Sequence, residues 1–123
     1  MVMNGYLTMR KRDNYIMMNV EVLVCEGVSE ALASTGRAAV SVEDLYAGTG
    51  NIPVCRSVAR GFVFDIFHNK YGFSYSVISQ RAGMVRESIM RSIRKSRHVR
   101  RSDSAYSAAY EHVLSKLREI YGK

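Results

Sequence analysis

Apolar residues recur at intervals of three and four along most of this chain, the spacing an α-helix needs to bury one face. From Tyr15 to about Ser34 the stripe is Ile16, Val20, Leu23, Val24, Val28, Ala31 and Leu32, with Gly36 as the break. The β-branched run Val20–Cys25 leaves a six-residue strand as the alternative there. Ser41-x-x-Asp44 reads as a capping box that opens a short helix through Tyr46, followed by a Gly48-Thr49-Gly50 loop. Asn51 is placed to cap the next helix, with Pro53 in its first turn, where a missing N–H costs nothing. That helix is expected to reach about Lys70 on the stripe Val54, Cys55, Val58, Ala59, Phe62, Val63, Ile66 and Phe67. Ser74 caps a short helix over Tyr75–Ala82, and Gly83 then breaks the chain in a tight turn. A further helix runs from about Val85 to Arg100. The last, capped by Ser102 or Asp103, carries Tyr106, Ala109, Tyr110, Val113, Leu114, Leu117 and Tyr121. No strand is required. The expectation is an all-α, compact multi-helix domain over residues 15–123, preceded by a loose tail at 1–14.

The 123 residues suit one domain, and 47% hydrophobic content is ordinary for a globular chain. No charge-free stretch approaches the roughly 20 apolar residues of a membrane span, so no membrane partner is expected, and the first residues do not read as a secretory signal. Cys25 and Cys55 lie in apolar surroundings and read as small buried hydrophobes in a reducing cytoplasm, with pairing as the alternative.

Charge says more. Eighteen basic residues against eleven acidic ones give +7, and thirteen of the eighteen are arginine, the side chain that forks onto phosphate and guanine edges. Up to Asp65 six basic residues face seven acids, so that half is nearly balanced. The window Arg81–Arg101 holds Arg81, Arg86, Arg91, Arg94, Lys95, Arg97, Arg100 and Arg101 against Glu87 alone, which equals the net charge of the whole chain. A solvated helix normally mixes signs. This one repels itself unless an anion meets it.

Ser74–Arg101 is helix, glycine turn, helix, the layout of a helix-turn-helix. At 100° per residue Val85, Ile89 and Ile93 are expected to face the core, while Glu87, Met90, Arg91, Arg94 and His98 face away, with Arg86 and Arg97 on the shoulder. Such a face suits the major groove, where arginine reads guanine and a carboxylate accepts from cytosine. Glu87 has a second reading, as an acid favoured at a helix N-terminus.

These residues resemble a family. Val42-Glu43-Asp44-Leu45, then Cys55-Arg56-Ser57-Val58-Ala59, Phe73-Ser74-Tyr75-Ser76-Val77-Ile78-Ser79, Gly83-Met84-Val85-Arg86-Glu87-Ser88-Ile89 and Ile93-Arg94-Lys95 follow the order of landmarks in the C-terminal DNA-binding domain of the bacterial replication initiator DnaA, a Trp-repressor-like helix-turn-helix. The resemblance covers about 80 residues. It implies a double-stranded-DNA partner, with Arg56 at a phosphate or minor groove, Arg86 and Glu87 at bases, Ser88 at a phosphate and Lys95 at flanking backbone. Val85-Arg86-Glu87 stands where the family signature has Asp-His-Thr, so a different DNA sequence is expected. No phosphate-binding Gly-x-x-x-x-Gly-Lys-Ser/Thr loop occurs, so only the DNA-binding module is implied.

His68, His98 and His112 have no ligand-spaced partners and no nucleophile elbow occurs, so neither metal, cofactor nor catalysis is expected. The sequence thus predicts a duplex-DNA-binding protein with Arg86, Glu87, Met90, Arg91 and Arg94 toward bases and Arg56, Ser74, Ser88, Lys95 and Arg97 toward phosphates. The alternatives are a helical protein-interaction domain that kept the scaffold but lost base reading, and a binder of structured RNA. The stripe of the first helix serves either the domain's own core or a homodimer.

Overall fold

The computed structural model describes residues 10–33, 39–48 and 52–122, and every regular element among them is helical. In chain order these are α1 (Lys11–Leu32), α2 (Val54–Asp65, prolonged by one wide turn of π-helix over Ile66–Lys70), α3 (Tyr75–Ala82), α4 (Arg86–Ser102) and α5 (Ser104–Tyr121). Of the expected tail, residues 1–9 lie outside the described part, as do Gly36, Thr49, Gly50 and Asn51.

Several boundaries differ from expectation for local reasons. Helix α1 begins at Lys11, four residues early, with Asp13 in its first turn and Asn14 held by Arg81 from α3. It is helical through Val20–Cys25, so the strand alternative is overturned. The capping box forms, with the Ser41 hydroxyl accepting from the Asp44 amide at 3.2 Å and donating to its carboxylate at 3.0 Å, but only consecutive turns follow it. Pro53 is the extended residue preceding α2, not part of its first turn. Ser74 caps α3, its hydroxyl accepting from the Val77 amide, and Gly83 ends it at φ +68°, a left-handed conformation that glycine adopts without penalty. Asp103 caps α5.

Packing follows the stripes. Helix α1 lies along α5 and also touches α2, while α2 crosses α4. Met17, Val20, Val24 and Val28 of α1 are fully buried, as are Val58, Val63, Phe64, Ile66 and Phe67 of α2 and its extension, Ile78, Ile89 and Leu117. The apolar stripe of α1 is therefore covered within the chain. Phe62 meets Tyr106 and Tyr110 edge-on, which ties α2 to α5. The α2–α4 crossing is close enough that a Cβ on Gly61 would sit 2.3 Å from the Ser92 carbonyl oxygen. Cys25 and Cys55 are both buried, and no disulfide joins them. No helix among the described residues is long and apolar enough to cross a membrane.

Candidate nucleic-acid interface

Helix α4 is built mostly from charged and hydroxyl residues, so its placement is decided by the few side chains it can bury. Ile89, Ile93 and Ser96 face α2 and are buried. Val85, expected beside them, is 64% exposed. It precedes the helix with an extended backbone, φ −75° and ψ 157°, so helical periodicity does not extend to it, and the half-buried Met84 packs on the core instead.

Eight cations fill the basic window, and the fold divides them. Arg81 forks onto buried Glu21 at 2.7 and 2.8 Å and reaches Asn14 at 3.0 Å. Arg97 forks onto buried Asp65 at 3.0 and 2.9 Å. Arg100 stacks 3.8 Å over the Tyr110 ring, its Nη2 4.0 Å from the same carboxylate. Hydrogen bonds donated to Glu21 and Asp65 hold Arg81 and Arg97 in their charged forms against the cost of burial. Arg97 was expected at a phosphate. The structure ties it to Asp65, the acid that the crossing brings beneath it, and so clamps α4 onto α2.

The other five, Arg86, Arg91, Arg94, Lys95 and Arg101, are exposed, and among the described residues none is ion-paired. Glu87 and His98 share their side of α4, and Met90 is half-buried at its edge. Arg86 stacks 4.9 Å from the Tyr75 ring centroid, and Tyr75 stacks at 4.0 Å on His68. The Nδ1 of His68 lies 2.9 Å from the Phe73 carbonyl oxygen, which only accepts, so this nitrogen carries the proton. The root of α4 is thus braced by a guanidinium–phenol–imidazole stack.

A recess lies on each side of this exposed face. On the α3 side Ser74, Ser76, Ser79 and Arg86 line a shallow hollow. On the α2 side a cleft of about 500 Å³ gathers Ser57, Arg60, Ser88, Arg91, Ser92 and Lys95. The structure therefore brings Ser74 together with Arg86, and Ser88 with Arg91 and Lys95, on opposite flanks of one helix. Arg56 stands apart, its Nη1 donating to the Ala47 carbonyl at 3.2 Å. Sequence reasoning missed Ser92 of α4 and, from α2, Ser57 and Arg60, which come to the site only through the α2–α4 crossing. The spacing of Ser57 and Arg60 on one helical face was the available signal.

Comparison with family models, with curated proteins and with solved structures finds no match to this chain.

Proposed function

We propose that this protein binds double-stranded DNA, with α3 and α4 acting as a helix-turn-helix and α4 entering the major groove. The observation that carries the reading is the sorting of charge. Arg81 and Arg97 are matched with buried acids, while five cations are held outward on α4 with Glu87 as the one acid on their side. Retaining such a face in water costs self-repulsion that a polyanion relieves. The flanking recesses support it, since a helix seated in a groove has a phosphate backbone on either side.

In this reading Arg86, Glu87, Met90, Arg91 and Arg94 approach base edges. Ser74, Ser88, Lys95 and Arg101 approach phosphates, and Arg56 adds a contact from α2. The resemblance in residue order to the DnaA C-terminal domain agrees with this assignment. No second copy of the chain is invoked, because the stripe of α1 is already covered by α2 and α5.

The test is duplex binding as a function of salt. With about five phosphates neutralised, log K should fall with log salt at a slope near −4.5. Arg94→Ala should lose about tenfold in affinity for a selected site, worth about 1–3 kcal/mol for a guanidinium that reads a base. Salt-insensitive or absent binding would end this reading in favour of a protein-interaction domain. Preference for RNA hairpins in competition would end it in favour of RNA.

A further inference from the structure

Arg60 is the one buried cation among the described residues, at 5% exposure. Its Nε donates to the Leu45 carbonyl at 2.5 Å, and its Nη2 donates to the carbonyls of Ala47 and Gly48. These acceptors are neutral. Among the described residues, which include all eleven acids of the chain, no carboxylate pairs with it. Burial and the neighbouring Arg56 both work against its charged form. Elsewhere the fold answers each inward arginine with an acid. Here it does not, although an unneutralised buried charge is costly.

The same guanidinium lines the α2-side cleft, and so do Arg91 and Lys95, three hydroxyls (Ser57, Ser88 and Ser92) and no acid. Hydroxyl donors between cations are the chemistry that holds a tetrahedral oxyanion. Val85 gives the first turn of α4 no side-chain cap, so a helix N-terminus also opens at the rim. We propose that this cleft is the seat of one phosphate group, with Ser57, Ser88, Ser92 and Lys95 contacting its oxygens and Arg60 and Arg91 supplying the surrounding positive field. As a seat for a DNA phosphate the inference rests on the function proposed above; as a seat for a free phosphate ester it does not.

The experiment compares the parent, Ser57→Asp and Ser57→Asn. Ser57 lies on α2, away from the exposed face of α4, so its variants probe the cleft and not base reading. Melting curves confirm folding, and Asn tests bulk without charge. Amide NMR shifts are followed during titration with inorganic phosphate, against chloride at equal ionic strength, and duplex affinity is measured in parallel. The expected result is saturable, phosphate-specific movement of the Ser57, Ser88 and Ser92 amides, together with a loss of about tenfold in duplex affinity in Ser57→Asp but not in Ser57→Asn. A loss of duplex affinity without phosphate-specific shifts assigns the seat to the DNA backbone. Phosphate-specific shifts with unchanged duplex affinity assign it to a free phosphate ester. The same shifts without any duplex binding keep the seat and remove the DNA reading. If phosphate acts no differently from chloride and Ser57→Asp binds duplex like the parent, the seat is overturned while the DNA reading stands.

Discussion

Two buried carboxylates do most of the orienting among single residues. Glu21 accepts from Arg81 twice and from the Tyr46 hydroxyl at 2.6 Å, which joins α1, α3 and the 42–46 turns at one point. Asp65 gathers Arg97, Arg100 and Asn69, and so sets the rotation of α4 about its own axis. Asp65→Asn keeps the shape and removes the charge. It should cost about 2 kcal/mol in urea unfolding, below the range for breaking a fully buried pair because the Arg97 side chain is 41% exposed. A loss under 0.5 kcal/mol would show that the pair does not position the helix. Tyr71 gives a prediction of opposite sign. Its hydroxyl is buried with no hydrogen-bond partner among the described residues. Tyr71→Phe should therefore be neutral or stabilising by up to about 1 kcal/mol. A clear loss would reveal a partner. Neither acid announces its role in sequence, since a lone Asp or Glu in a helical stripe reads as solvated until a neighbouring helix is placed over it.

Among elements, α3 was the most legible, because its limits are set by short-range chemistry: a serine cap at Ser74 and a left-handed glycine at Gly83. The Ser41–Asp44 box was equally local, yet it yielded turns, since no apolar stripe follows to extend a helix past Tyr46. The wide turn at Ile66–Lys70 left no pattern in the residues. The α2–α4 crossing depends on Gly61, which sequence alone would rank as a weak helical position. Replacing a helical glycine with alanine normally gains about 0.5–1 kcal/mol. At Gly61 the added carbon would meet Ser92 and Ser96 at 2.3 and 2.4 Å, so Gly61→Ala should instead cost about 2–3 kcal/mol. Thermal unfolding measures it, and an unchanged melting temperature would contradict the close approach. Because this crossing brings Ser57 and Arg60 beside Ser88, the variant should also disturb the cleft.

At the scale of the molecule, buried neutral groups set the response to alkali. Burial and the nearby Glu21 and Glu26 push Cys25 from its ordinary 9.0 up to about 12, and burial with Glu21 pushes Tyr46 above its ordinary 10.0. Below pH 9 both groups are protonated folded or unfolded, so they add no pH dependence. Between pH 9 and 12 the unfolded chain releases protons that the native state retains, so stability should fall by up to about 1.4 kcal/mol per pH unit for each group. Melting at pH 8 and pH 10.5 should show the drop, and Cys25→Ala combined with Tyr46→Phe should reduce it, the remainder coming from Tyr71 and Tyr110, which burial also raises; a parent profile already flat would contradict the burial of Cys25 and Tyr46. By itself the sequence determined the helical class, most helix limits and the surplus of cations near α4, because periodicity, caps and charge counts are local quantities. Only the tertiary structure decided which cations are available. The pairing of Arg81 with Glu21, the tying of Arg97 and Arg100 to Asp65, and the arrival of Arg60 at its cleft all depend on distances between helices that no spacing along the chain encodes.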